Sequence, residues 1–523
     1  MDSKLIVVSN RMPVVVEETS EGWGIKAGAG GLVAALDPVL RKRGGVWVGW
    51  PGVDESARSA WLPLLEEVGD ERGYAFDPVP LPPELVRDFY GGFSNAVLWP
   101  LLHNITSRCV FEPAYWEAYL AANERFAKTV LRHAQPGDLV WVHDYQLIGV
   151  APYLRQEAPE LDVAFFLHIP FPPLESFLEM PWRGEILSAL LAYDLIGFQT
   201  ERDRHNFLDC VRRLVPDAVI DESPERSADD EAVTVIAVGE RRMRVACFPI
   251  GIDYPTVVRT ASSRAVVERA RELSEALGDV ALILGVDRLD YTKGIPDRLL
   301  AYQAMLEEAP ELHERVVLLQ VVQPSREIVP EYQELKRQID ELVGAINGRF
   351  GTATWAPVHY LYRSVPWPEL FALYRLARVA LVTPLKDGMN LVAKEYVACQ
   401  LDEPGALILS EFAGAAAQLH ERALIVNPYD VEGAGRTLLE ALGLSADERR
   451  RRMDALRHNV SREDVFWWTR RFLIAATQAS PRLPSVQTYI PDFGHDAFRA
   501  AVADAEASDS DHPRNVEQAR RPR

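Results

Sequence analysis

Short apolar runs alternate along this chain with longer segments whose apolar residues recur at helical spacing. The runs Leu5–Val8, Val46–Gly49, Leu139–His143, Val163–His168, Leu195–Gln199, Arg244–Ile250, Ala281–Gly285, Val316–Val322, Val379–Pro384 and Ala406–Ser410 read as buried strands. Between them, Trp116–His133, Gly184–Tyr193, Ser262–Leu277 and Pro330–Val343 carry amphipathic helical patterns. Such alternation predicts parallel sheets covered by helices on both faces. A single sheet of that many strands is unusually wide, so the pattern predicts an α/β chain with two doubly wound domains. We place the junction near Gly251–Val258, just after F-P-I-G-I-D, giving domains over residues 1–252 and 253–480 with the last helix free to cross back. The acidic stretch Asp221 to Glu231 reads as a solvated surface loop. Residues 504–523, polar and short of aromatics, read as a disordered tail.

Charge narrows the partners. Lys and Arg number 56 against 76 Asp and Glu, a formal charge of −20. That field disfavours nucleic acid or an anionic membrane, so a phosphate ligand must be held by local arginines and lysines. No apolar run reaches the roughly 18 residues of a membrane span, and M-D-S-K-L-I-V-V-S-N is too short in apolar residues for a signal peptide. Cys109, Cys210, Cys247 and Cys399 lack metal-ligand spacing and read as reduced thiols, so a cytoplasmic location is expected.

Chemistry gathers where the apolar runs stop. V-W-V-H-D-Y ends on His143 and Asp144, F-F-L-H-I-P on His168, L-G-V-D-R-L-D on Arg288, V-V-Q-P-S-R on Arg326 and T-P-L-K-D-G on Asp387. Ligands of doubly wound sheets bind outside the carboxyl ends of the strands. The stretch D-G-M-N-L-V-A-K-E-Y, Asp387 to Tyr396, is the richest of these junctions. There a strand yields to a loop with Gly388 and Asn390, and a helix is expected over Leu391 to Gln400. The open N–H groups and positive dipole end of such a helix suit a phosphate, while Asp387 and Glu395 suit hydroxyls. A sugar nucleotide satisfies both. Lys394 reads as part of a solvated helix face.

Further motifs accompany it: S-N-R-M-P (Ser9–Pro13), A-G-G-L (Ala29–Leu32), G-W-P-G (Gly49–Gly52), F-S-N-A-V-L-W-P (Phe93–Pro100), V-H-D-Y-Q-L (Val142–Leu147), F-L-H-I-P-F-P (Phe166–Pro172), G-F-Q-T (Gly197–Thr200), D-R-L-D-Y-T-K-G (Asp287–Gly294) and I-N-G-R-F (Ile346–Phe350). In this order and spacing, from about Leu5 to Leu473, the chain resembles the trehalose-6-phosphate synthases. These are retaining glycosyltransferases with two Rossmann-like domains facing a central cleft, the B-type glycosyltransferase fold. The resemblance implies transfer of glucose from UDP-glucose, or another nucleotide-glucose, to glucose 6-phosphate. The products are then α,α-trehalose 6-phosphate and the free nucleotide.

The same resemblance distributes the roles. Arg288 and Lys293 contact the donor diphosphate, where a guanidinium fork and an ammonium can neutralise a leaving anion. Asp387 meets donor-glucose hydroxyls, and the amides of Gly388, Met389, Asn390, Leu391 and Val392 run along glucose and phosphate. Glu395 takes the ribose hydroxyls, and Val365 meets the base through its backbone. Gly30 and Gly31 let the backbone approach the donor, although Ala27–Gly31 is richer in Gly and Ala than the family's Ser-x-Gly-Gly form. Arg11, Tyr90 and Arg326 fall to the acceptor phosphate, Asp144 to its hydroxyls, and Trp99 to the acceptor sugar unless it is a core tryptophan. His168 lies near the donor sugar. Retention is expected by front-face internal return, with the departing phosphate oxygen taking the acceptor proton. No Asp-x-Asp pair marks a strand end, so neither metal nor cofactor is expected. The expected partners are small-molecule substrates, and a homo-oligomer is left open. Two alternatives remain: a synthase of glucosylglycerol phosphate using glycerol 3-phosphate, and a silent sugar-phosphate sensor.

Overall fold

In chain order the strands are β1 (Leu5–Arg11), β2 (Val14–Thr19), β3 (Gly22–Ala27), β4 (Val46–Trp50), β5 (Ala75–Pro78), β6 (Leu139–His143), β7 (Asp162–Phe166), β8 (Leu195–Phe198), β9 (Ala218–Arg226), β10 (Ala232–Val238), β11 (Arg241–Cys247), β12 (Ala281–Arg288), β13 (Val316–Gln323), β14 (Val358–Tyr362), β15 (Val379–Val382), β16 (Ala406–Ser410) and β17 (Leu424–Val426). The computed structural model describes residues 4–20, 22–28, 31–226, 232–325, 330–402 and 404–477. A nine-stranded sheet has the order β5-β4-β1-β6-β7-β8-β11-β10-β9, and a six-stranded sheet the order β14-β13-β12-β15-β16-β17. The second sheet is parallel throughout. The first is parallel from β5 to β11 and antiparallel at β11-β10-β9. Strands such as V-W-V-G-W, L-V-W-V-H and A-L-I-L-S are buried along their whole length. This is the continuous apolar reading of a sheet covered on both faces.

Each sheet reverses its strand order once beside its first strand. In the first sheet the reversal falls between β1 and β6, and in the second between β12 and β15. A crevice opens at such a point because the connections leave in opposite directions. The strand-end residues Arg11 and Asp144 flank the first crevice, and Arg288 and Asp387 flank the second.

The acidic stretch from Asp221 is not the loop expected from sequence. Asp221 to Arg226 belong to β9, which pairs antiparallel with β10 at the sheet edge. Charged side chains suit an edge strand because they discourage further pairing, so charge there hid a strand. Residues 227–231 and the tail expectation over 504–523 lie outside the described residues. The helix Val465–Thr477 lies on the first sheet, where Phe472 stacks on Trp141 at 4.4 Å and Trp468 sits 5.1 Å from both Trp141 and Phe166. Between β5 and β6 the chain winds as a π-helix over Arg87–Leu98 and continues as an α-helix over Trp99–Leu102. The wide π turn sets Tyr90 and Asn95 one above the other, and the Asn95 side-chain amide donates to the Tyr90 carbonyl at 2.6 Å. Such insertions recur at functional sites.

Candidate active site

At the second crevice, β15 runs out through T-P-L-K and delivers Asp387 just ahead of the helix Leu391–Cys399. Asn390 turns the corner with φ 79°, a conformation its short polar side chain tolerates. Its Oδ1 accepts from the Ala393 N–H at 3.1 Å, and its Nδ2 donates to Asp387 Oδ2 at 3.1 Å. One side chain therefore caps the helix and orients the carboxylate. Lys293 Nζ, from the turn after β12, lies 2.7 Å from the same Oδ2. Burial works to raise the Asp387 carboxyl, but the Lys293 charge and the hydrogen bonds from Lys293 and Asn390 prevail and hold it below its ordinary range. Asp387 is thus ionised and tightly placed.

The turn that presents Lys293 is fixed from several sides. Asp290 Oδ1 accepts from the Thr292 amide at 3.0 Å and from its hydroxyl at 2.9 Å, while the Thr292 carbonyl accepts from the Leu385 N–H at 2.7 Å. Beneath it, Arg298 is only 1% exposed. It pairs with Asp287, donates to Thr383 Oγ1 at 3.0 Å and Gln320 Oε1 at 3.1 Å, and reaches the Lys293 carbonyl at 3.3 Å. Arg288 stands exposed at the end of β12, and no carboxylate among the described residues pairs with it. It can meet an anion.

The first sheet closes against this loop. A Cβ on Gly388 would overlap the His168 carbonyl oxygen and come within 2.8 Å of the Ile169 Cα. The absence of a side chain thus lets the loop lie on the backbone that follows β7. His168 Nε2 is 3.0 Å from His143 Nδ1, and the His168 N–H donates to Asp144 Oδ1 at 3.2 Å. Burial pushes the His168 imidazole down to about 3 and His143 well below its ordinary value, so both rings are neutral. His103, which follows the Trp99–Leu102 helix, is also buried; its Nδ1 lies 2.8 Å from the Trp99 carbonyl. Burial draws its imidazole down to about 4 against the opposing charges of Asp290 and Asp387. Arg108 of the same segment lies over the Tyr291 ring of the other sheet's turn at 4.7 Å.

Toward the first crevice, the exposed Arg11 guanidinium lies over Trp50 at 4.8 Å and Tyr90 at 5.4 Å. The Tyr145 hydroxyl donates to Asn95 Oδ1 at 2.9 Å, fixing the π-helix beside Asp144. Trp99 is buried with its ring 4.2 Å from His103 and 5.6 Å from Tyr145. Met389 is buried, Leu391 and Val392 are half-buried at the helix start, and Val365 is half-buried before the helix Trp367–Leu376. That helix supplies Tyr374, whose hydroxyl donates to Glu395 Oε2 at 3.2 Å. Burial pushes the Glu395 carboxyl up to about 7, with the Tyr374 hydrogen bond opposing. Gly31 opens the helix Gly31–Arg43, while Gly30 and Arg326 lie outside the described residues.

Lys394 is not on a solvated face: it is 1% exposed, and its ammonium donates to the Ile250 carbonyl at 2.6 Å and to Gln418 Oε1 at 2.7 Å. The clue was in L-V-A-K-E-Y-V-A-C, a helix too apolar all round to have a free face. His103 and Arg298 escaped notice because neither ends a strand. The spacing of His103 four residues after Trp99 was its one signal.

The two sheets have the architecture of the B-type glycosyltransferase fold. The chain belongs to glycosyltransferase family 20, whose family model matches residues 3–478. It is 46% identical over 492 residues to a trehalose-6-phosphate synthase of Mycobacterium avium, covering 92% of this chain and 96% of that one. Among solved structures, the Escherichia coli trehalose-6-phosphate protein bound with UDP-2-fluoro glucose matches with TM-score 0.81 and 36% identity, over 92% of this chain and 100% of that one. An α,α-trehalose-phosphate synthase (UDP-forming) from Burkholderia xenovorans in complex with glucose-6-phosphate matches with TM-score 0.80 and 34% identity, over 91% and 100%.

Proposed function

We propose that this enzyme transfers glucose from UDP-glucose to glucose 6-phosphate with retention, giving α,α-trehalose 6-phosphate and UDP. The observation that carries the reading is the Lys293–Asp387 pair set next to Gly388, which itself lies on the His168 backbone and so joins the two crevices into one site. The names of the relatives support the same substrates. In this reading residues 1–252 hold the acceptor and 253–480 the donor.

Arg288 and Lys293 neutralise the diphosphate as the glycosidic C–O bond breaks and negative charge gathers on the leaving oxygen. The amides of Gly388 to Val392 receive glucose and phosphate at the positive end of the helix. Arg11 and Tyr90, with Arg326, take the acceptor phosphate, and Asp144 takes its hydroxyls. Asp387 is held by Lys293 and Asn390, which suits a carboxylate that fixes sugar hydroxyls better than one that attacks carbon. The neutral imidazoles of His103, His143 and His168 add no full charge near the developing oxocarbenium ion. Retention then follows when the acceptor oxygen enters on the face the phosphate leaves, passing its proton to that phosphate oxygen. The protein contributes orientation and charge. No helix among the described residues is long and apolar enough to cross a membrane, and all four cysteines are free thiols. We place the enzyme in the cytoplasm.

A donor and acceptor panel tests the substrates. Highest kcat/KM is expected with UDP-glucose and glucose 6-phosphate; a preference for glycerol 3-phosphate would replace the acceptor assignment, and binding without turnover would replace the enzyme by a sensor. Glu395 adds a pH signature. Its carboxyl is raised to about 7 by burial, so it is mostly neutral below that pH and ionised above it. Ribose hydroxyls donate best to the ionised form, so UDP-glucose affinity should rise with pH, by about tenfold from pH 6 to pH 8. Titration calorimetry without acceptor reads this, and Glu395→Gln should flatten the profile. For folding the sign is opposite. The raised carboxyl favours the folded state fully below the unfolded value of 4.5, and that contribution is lost as pH rises toward 7.

A further inference from the structure

The chain passes between the sheets at residues 250–252 and again at 463–465, and the two crossings are packed together. The Val465 N–H donates to the Ile252 carbonyl at 2.9 Å. A Cβ on Gly251 would run into the backbone of Glu463 and Asp464. The two crossings lie backbone to backbone with no slack between them, a geometry that can serve as a two-stranded hinge.

The Ile250 residue in that hinge is gripped from both sides. Its N–H donates to Gln199 Oε1 at 3.0 Å, from the end of β8 in the first sheet. Its carbonyl accepts from Lys394 Nζ at 2.6 Å, from the donor-side helix of the second. Lys394 also donates to Gln418 Oε1 at 2.7 Å, and the Gln418 amide in turn donates to Glu463 Oε2 on the other crossing. One buried ammonium therefore reaches the first hinge strand directly and the second through Gln418. The same short helix bears Glu395 one residue on, and begins at the loop that lies on the His168 backbone.

We propose that Lys394 is a positioning residue that couples donor occupancy to the hinge, so that a bound nucleotide sets the two lobes for the acceptor. A nucleotide that draws on the amides and Glu395 of this helix acts on a rigid element of under three turns, whose side is pinned to Ile250. Any shift of the helix is carried to both crossings. A neutral side chain of the same length would fill the space but release the Ile250 and Gln418 oxygens. Burial also draws the Lys394 ammonium down to about 7, with Glu463 opposing, as expected for a cation held there mainly by neutral oxygens.

The inference rests on the proposed reaction, and titration calorimetry separates the two. Glucose 6-phosphate is titrated with and without UDP into the full-length enzyme and into Lys394→Met. In the unaltered enzyme UDP should tighten acceptor binding by about tenfold, within the usual range for coupled sites. In Lys394→Met, UDP alone should bind within about threefold of the unaltered enzyme, while the tightening falls below about twofold. Glu463→Gln keeps the Lys394 side chain, weakens the link from Gln418 to the second crossing, and removes the charge that opposes the effect of burial on Lys394. It should lose part of the tightening, and it serves as the readout where Lys394→Met does not fold. Tightening retained in the folded variant overturns the proposal, as does a loss of UDP affinity as steep as the loss of coupling. Both ligands binding the unaltered enzyme independently also overturns it while sparing the reaction. An unaltered enzyme that binds neither ligand removes the reaction itself.

Discussion

Replacing Asp387 with asparagine should lower kcat by roughly 10²- to 10³-fold, the scale on which a placed polar group acts at a transition state. Asparagine keeps an oxygen for Lys293 Nζ at the position now 2.7 Å away, so the loop should keep its shape. What disappears is the negative charge that, in the proposed reaction, orders the sugar and sets Lys293 against the diphosphate. Alanine is a harsher probe. A strand-end carboxylate would ordinarily contribute little to folding, but here Lys293 and Asp387 are only 12% and 14% exposed. Removing one partner leaves an ammonium with little water, at a cost on the order of 3 kcal/mol. Thermal unfolding beside steady-state kinetics separates the two effects. Near-normal kcat in the asparagine variant would take Asp387 out of the site.

Gly388→Ala should be nearly as damaging, for a steric reason. The added methyl would strike the His168 carbonyl and the Ile169 backbone, and Gly414 in turn packs against the Gly388 carbonyl. Backbone lies on both sides, so no side-chain rotation relieves the clash. Overpacking of this kind costs about 1–3 kcal/mol where the surroundings can adjust. Here the adjustment parts the two lobes, and kcat/KM should fall by roughly 10²-fold, as a misplacement of about 1 Å does to a positioned reaction. Gly344→Ala is the control, since nothing outside the local backbone of its own helix stands within 4 Å of its Cβ position. Equal activity in the two variants would mean that the lobes need not meet at Gly388.

The parallel strands and their polar ends were legible because a sheet buried on both faces leaves unbroken apolar runs, and a run must stop where the crevice begins. Asp144, His168, Arg288 and Asp387 all stand out in that way, whereas Arg11 is reached only through the family resemblance. The π-helix over Arg87–Leu98 was not legible. Its five-residue step between Tyr90 and Asn95 matches neither helical nor strand period, and His103 depends on where that segment ends. The edge strand β9 was masked by its own charge. Lys394 was misread because charge in a helix suggests solvent unless every neighbouring face is known to be covered. Arg298 lies inside a helix, and only the fold shows it beneath Lys293.

Front-face transfer requires donor and acceptor to share one face of the site. The direct test is the product formed from UDP-glucose labelled with carbon-13 at C1 and unlabelled glucose 6-phosphate, read by the one-bond C1–H1 coupling. An α-configured labelled carbon in a 1,1-linked disaccharide phosphate is the result expected. A β-configured labelled carbon would mean entry from the opposite face, and would contradict the arrangement of the two crevices around Asp387 and His168.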